Sequence, residues 1–245
     1  MIIIPAIDLL DGKCVRLLQG DYNRVTVYSD YPEEIAMSFE QQGAELIHIV
    51  DLDGARLGKP ENFRTIEKIV KHISVPVEVG GGIRDIYTAK EYESIGVKRL
   101  VIGTKAIESP SIISEMCNSL NVDIIAGIDG KDGNVAIKGW LETTNTSVIE
   151  LAKMVEKHGA KGIIYTDILR DGMRNGPNYE STIALSKTVN IKVIASGGVG
   201  NMEDLLRFYD YDNRNIFGVI VGKAIYEGNI NLKEAIRILK AKHAD

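Results

Sequence analysis

Several hallmarks of common protein classes are scarce in this 245-residue chain. It has two cysteines, Cys14 and Cys117, in no metal-ligand spacing. That excludes a disulfide framework and a cysteine-based zinc site, and it fits a reducing compartment. Its four histidines, His48, His72, His158 and His243, are dispersed, and the last three fall on predicted helices. No metal site is expected. No apolar run approaches the roughly 20 residues of a membrane-spanning helix. The opening MIIIPAID lacks the basic region and length of a signal peptide, so a cytoplasmic protein is expected. Positive charge is not in excess either. The net charge is −5 with no run of five like charges, which argues against a nucleic-acid binder. An anionic small molecule remains open, because backbone N–H groups at helix starts bind phosphate without net charge. The first strand is not followed by G-x-G-x-x-G, and no nucleophile elbow or Walker sequence is present.

Glycine, by contrast, is over-represented, with 24 of 245 residues against an average of about 7%. Its placement follows from the strand pattern. Short β-branched runs lie at 2–8, 46–52, 75–79, 99–103, 123–129, 161–167, 192–196 and 217–222. They are apolar on both faces, as parallel strands covered on both sides are. Amphipathic stretches separate them, for example Phe63, Ile66, Val70 and Ile73, then Val148, Leu151, Ala152 and Val155. Eight strands and eight helices in strict alternation, with no linker or composition shift, predict an α/β fold, a single (β/α)8 TIM barrel over 1–245. An open doubly wound sheet is the alternative. An internal repeat suggests two half-barrels, about 1–120 and 121–245. PAIDLLDGK (5–13) resembles AGIDGKDGN (126–134), VGGGIRD (79–85) resembles ASGGVGN (195–201), and VIGTKAI (101–107) matches VIVGKAI (219–225) at five of seven positions.

Active sites of such barrels lie at the C-terminal ends of the strands. Asp8 and Asp129 end the first and fifth strands, on opposite sides of the mouth. Two carboxylates in environments that separate their pKa values can act as base and acid. Each could instead merely cap its following loop. The glycines cluster where phosphates would bind. Gly81 and Gly82 with Gly103 and Thr104 form one predicted phosphate site. Gly197 and Gly198 with Gly222 and Lys223 form the other, and Gly176 joins the second set. Glycine lets a backbone approach an anion closely. The expected substrate is therefore an elongated bisphosphate with the aspartates between its ends. Three long loops at the mouth, 9–31, 130–145 and 168–177, carry candidate substrate-binding residues: Arg16, Gln19 and Gly20, then Trp140, then Asp171, with Arg174 beside it. Loops of that length are often lids or binding loops. Trp140 offers a flat surface for an aromatic ring or packs beneath its loop. Thr166, near the end of the sixth strand, could donate to substrate. His48 is equally a core histidine or a site residue. The chemistry expected is acid–base work without cofactor.

These residues resemble the histidine-biosynthesis barrels, most closely their aldose–ketose isomerase branch. The stretches that carry the resemblance are PAIDLLDGKCVRLLQGDY (5–22), HIVDLDGA (48–55), VEVGGGIR (77–84), GIDGKDG (127–133), KGW (138–140), TDILRDG (166–172), ASGGV (195–199) and VGKAIYEG (221–228). They run over essentially the whole chain in order. The resemblance implies a cofactor-free Amadori rearrangement, aminoaldose to aminoketose, of the bisphosphate ProFAR to PRFAR. It implies Asp8 as the base at C2 of the ribosyl group and Asp129 as the acid that opens the furanose. Thr166 and Asp171 would support them, and Arg16, His48 and Trp140 would contact substrate, with Trp140 stacking on its aromatic part. It implies no obligate protein partner. Met173 and Leu10 depart from the usual pattern, in the third loop and after the first strand. Two alternatives stay open: a bifunctional isomerase that also takes phosphoribosylanthranilate, and the sister cyclase, which needs a glutaminase.

Overall fold

The computed structural model describes residues 1–137, 140, 142–173, 176–210 and 215–242. Its strands are β1 (Ile2–Leu10), β2 (Lys13–Leu18), β3 (Asp21–Ser29), β4 (Ile47–Asp51), β5 (Val77–Gly80), β6 (Arg99–Ile102), β7 (Asp123–Lys131), β8 (Asn134–Ile137), β9 (Glu142–Ser147), β10 (Gly162–Asp167), β11 (Lys192–Ser196) and β12 (Ile216–Val221). Eight of these pair in parallel around a closed ring, β1-β4-β5-β6-β7-β10-β11-β12 and back to β1. The fold is the expected (β/α)8 barrel, not the open sheet. Its strand bounds follow the apolar runs closely, because a strand buried on both faces writes itself as a continuous β-branched segment.

Two of the three expected long loops are more ordered than the sequence reading has them. Residues 13–18 and 21–29 form a hairpin on β1, and residues 134–137 and 142–147 form one on β7. Both start at an Asp-Gly turn. Asp11 and Gly12 have φ of 50° and 73°, Asp132 and Gly133 φ of 50° and 82°. Positive φ at both central residues marks the type I′ turn that matches strand twist. The loops are therefore extensions of the barrel sheet above its mouth.

The helices are α1 (Pro32–Gln41), α2 (Leu52–Leu57), α3 (Phe63–His72), α4 (Ile86–Ser94), α5 (Thr104–Glu108), α6 (Ser111–Ser119), α7 (Val148–Lys157), α8 (Tyr179–Thr188), α9 (Met202–Asp210), α10 (Lys223–Tyr226) and α11 (Leu232–Lys242). Eight cover the barrel as expected. The short α2, α5 and α10 are additional and follow β4, β6 and β12 directly. In α7 the predicted stripe Val148, Leu151, Ala152 and Val155 is buried. In α3 the fully buried pair is Ile66 and Ile69, with Phe63 and Val70 flanking it. No helix among the described residues is long and apolar enough to cross a membrane.

Apolar packing falls into two layers. One lies between strands and helices. The other fills the barrel, with Ile4, Ala6, Leu46, Ile125, Ile164, Ile194 and Ile220. Side chains alternate along a strand, so the face of β1 that carries Ile4 and Ala6 inward also carries Asp8, one step nearer the mouth.

Candidate active site

One cavity of about 310 Å³ opens at the C-terminal ends of the barrel strands. Of the expected site residues, all but Gln19 and Gly176 line it. Gln19 is exposed at the tip of the first hairpin, in a turn with Gly20. Gly176 lies behind the wall, where its N–H donates to the Gly198 carbonyl at 3.1 Å. Neither residue lines the cavity. Arg174 and the Lys138–Gly139 part of KGW lie outside the described residues, as does His243. Met173 is exposed.

Asp8 is held by Arg16, whose Nη1 donates to Oδ2 at 2.7 Å while Nη2 donates to the Ala6 carbonyl at 3.3 Å. Arg16 rises from β2, the antiparallel partner of β1, so the hairpin delivers its guanidinium over the barrel. Gly222 makes room for that group, since a Cβ there would overlap Nη2. Tyr226 supports the same arrangement, donating its hydroxyl to Ala6 O at 2.9 Å with its ring under the guanidinium.

Asp129 stands in a different environment. Trp140 Nε1 donates to its Oδ2 at 2.8 Å, and Thr166, its register partner on β10, hydrogen-bonds to it. Burial raises the Asp129 carboxyl above its ordinary pKa, against the lowering effect of Trp140, Thr166 and His48. Trp140 adopts φ of 73° and lays its indole on Gly20, where a Cβ would come within 2.7 Å of the ring. Gly20 is therefore a seat for the indole. Asp171 is pushed up to about 6 by burial, opposed by Arg16 and reinforced by the charges of Asp8 and Asp129. Two carboxyls at this mouth thus favour the protonated form more than an aspartate in water does.

The glycine loops are built the same way on both sides. A Cβ on Gly81 would overlap the Asp51 backbone, and one on Gly82 would lie 2.6 Å from the Lys59 carbonyl carbon. A Cβ on Gly197 would lie 3.0 Å from Asp167 O, and one on Gly198 2.6 Å from Gly176 O. The packed neighbours are themselves pinned. Asp51 is fully buried and accepts from the N–H groups of Gly54, Glu61 and Asn62 at 2.8 Å and from Asn62 Nδ2 at 2.7 Å. Asp167 accepts from Leu169 N at 3.0 Å and Asn178 Nδ2 at 2.6 Å. Sequence reasoning missed these four residues. Their signal was available, because Asp51/Asp167, Asn62/Asn178 and Gly81/Gly197 all share an offset of 116 residues. Lys105, Arg84, Tyr22 and Ser196 also line the cavity and were missed. Lys105 adds a cation beside Gly103 and Thr104, as Lys223 does beside Gly222. Among the described residues, no three His, Cys, Asp or Glu side chains converge as metal ligands.

Comparisons with known proteins place the chain among its relatives. The family described as histidine biosynthesis protein matches residues 2–231. A curated relative from Trichlorobacter lovleyi is 51% identical over 240 residues, 98% of each chain. One from Thermodesulfovibrio yellowstonii is 52% identical over 240 residues, again 98% of each. One from Syntrophus aciditrophicus is 49% identical over 241 residues, 98% of this chain and 100% of the relative. All three carry the name 1-(5-phosphoribosyl)-5-((5-phosphoribosylamino)methylideneamino) imidazole-4-carboxamide isomerase, the ProFAR isomerase. With the family match over residues 2–231 and relatives about half identical along nearly its full length, the chain belongs to the histidine biosynthesis protein family.

Proposed function

We propose that this protein is a ProFAR isomerase of histidine biosynthesis, acting by general acid–base catalysis without cofactor. The observation that carries the reading is the pair of unlike carboxylates in one cavity. Asp8 is bound to a guanidinium, and Asp129 is buried against an indole N–H and a threonine. Asp129, with its raised pKa, is the acid: it protonates the furanose ring oxygen and opens the ring to the imine. Asp8 is the base: it takes the C2 proton, and the resulting enolamine tautomerises to the aminoketose. One proton leaves carbon and one reaches oxygen, so substrate and product are isomers and no external oxidant is needed. The base and acid steps each contribute on the order of 10²–10⁴-fold.

The glycine loops with Lys105 on one side and Lys223 on the other hold one phosphate each. Thr166 and Asp171 tune the carboxylates, and Arg16, His48 and Trp140 face the substrate between the phosphates. Two phosphate sites favour ProFAR over phosphoribosylanthranilate, whose single phosphate would leave one loop empty. We read the chain as one domain of two half-barrels, about 1–120 and 121–245, which the shared offset of the Asp–Asn pairs supports. The enzyme works in the cytoplasm on a small molecule, with no nucleic acid, membrane or obligate protein partner. The test is incubation of purified protein with each substrate while the ultraviolet change is followed. Turnover of ProFAR alone is expected. Equal turnover of both would make the enzyme bifunctional, and no turnover of ProFAR would overturn the reading.

A further inference from the structure

A row of ionisable side chains crosses the apolar interior of the barrel. His48 on β4 lines the cavity, and its register partner on β5 is Glu78. Glu78 is fully buried, and its Oε1 lies 2.9 Å from His48 Nδ1. Its Oε2 has no hydrogen-bond partner and lies 3.7 Å from Nη1 of Arg99, the next register partner on β6. Arg99 in turn stacks over Phe217 at 4.8 Å and lies 3.8 Å from Asp123, its partner on β7. The row therefore descends one residue per strand, from the mouth to the far end of the barrel.

A carboxylate inside a core of Ile4, Leu46 and Ile125 is costly unless its pairing is good. Here the hydrogen bonding is one-sided, with Arg99 only at ion-pair distance from the second oxygen. One oxygen is hydrogen-bonded to the histidine, and the other is left without a bonded donor. An ion pair selected for stability alone would satisfy both oxygens. What the arrangement does provide is a fixed imidazole at the wall of the cavity.

We infer that Glu78 is a positioning residue of the isomerase site, accepting Nδ1–H from His48 so that Nε2 is the ring nitrogen presented to substrate oxygens. The second ring nitrogen of a histidine is set by the bond the first one makes. This inference rests on the proposed function for its kinetic consequence, but its structural half stands without it.

The test uses the full-length protein labelled with ¹⁵N, with His48 resonances assigned by their loss in His48→Asn. Nδ1 of His48 is expected to be protonated in the wild type and in Glu78→Gln, which keeps an acceptor, and unprotonated in Glu78→Met. In ProFAR turnover, Glu78→Met should lose roughly 10- to 100-fold in kcat/KM, the scale of residues that orient a site ligand from behind, and Glu78→Gln should recover most of that loss. In a His48→Ala background, Glu78→Met should cost nothing further, because two residues acting through one contact are not additive. An unprotonated Nδ1 in the wild type would overturn the inference, and so would a Glu78→Met loss that persists undiminished without His48. Should Glu78→Met not fold, the spectra of the wild type and Glu78→Gln decide the question. Should the wild type not turn over ProFAR, the proposed function fails while the nitrogen spectra still judge Glu78.

Discussion

At the scale of single residues, the mouth of the barrel is a set of carboxyls with different partners. The raised Asp129 pKa keeps a larger share of that group protonated, as an acid requires. If Asp129 is the acid, the proton is lost as pH rises through the raised value, and kcat should fall on a basic limb. Trp140 donates to the ionised carboxylate, so Trp140→Phe removes a lowering influence. The basic limb should move to higher pH in that variant, and a shift to lower pH in the kcat profile would contradict the assignment. Asp171, pushed up to about 6, has a stability consequence. Its folded-state pKa exceeds its unfolded value of about 3.9, so the folded state binds more protons and stability falls as pH rises from about 4 through about 6. Asp171→Asn should flatten that stretch of a denaturation-midpoint profile and stabilise the protein at pH 7.5 relative to wild type. An unchanged profile would refute the linkage. The positions of the aspartates were legible in the sequence, because a polar residue that ends an apolar strand stands out. The partners were not. Trp140 on Asp129 joins a hairpin turn to a strand, Glu78 on His48 joins two strands, and no local pattern encodes either contact.

At the scale of elements, the glycine excess has two causes. Some of these residues line the cavity, where a bare backbone can approach a ligand closely. Several also sit where a neighbouring backbone leaves no room for a Cβ. Gly198, at φ of 90° and 2.6 Å from Gly176 O at the Cβ position, joins both demands. Gly198→Ala should cost about 1–3 kcal/mol from its backbone conformation alone, read by urea unfolding, and should raise KM for ProFAR. Asp51→Ala strips the acceptor from three backbone N–H groups and the Asn62 amide, each worth about 1–3 kcal/mol when left buried and unmet. It should destabilise by at least about 3 kcal/mol, and a loss below 1 kcal/mol would show that the loop re-pairs. The barrel strands could be read from composition, whereas the two hairpins could not be read from periodicity. β3 is an edge strand with both faces largely open to water, so it carries no apolar alternation. The Asp-Gly turn at 11–12, which starts the hairpin, was the signal, and the same dipeptide recurs at 132–133.

At the scale of the whole molecule, the barrel joins side chains that lie far apart in the chain. Asp8 and Asp129 are on β1 and β7, with three barrel strands between them on one side of the ring and three on the other. Each is followed by an Asp-Gly hairpin that returns a side chain over its own strand: Arg16 to Asp8 and Trp140 to Asp129. The same construction thus gives one carboxylate a cation and the other an indole, and in the proposed mechanism that difference separates base from acid. The repeat in the sequence was visible, but what the two hairpins deliver was not, because it depends on side chains that cross back from each hairpin, Arg16 from a strand and Trp140 from a turn. The most direct test of this division of labour is the rate of ProFAR conversion by Asp129→Asn and Asp8→Asn beside the wild type. Each variant should lose at least roughly 10²-fold in kcat with the fold intact. Near-normal kcat in either variant would contradict it.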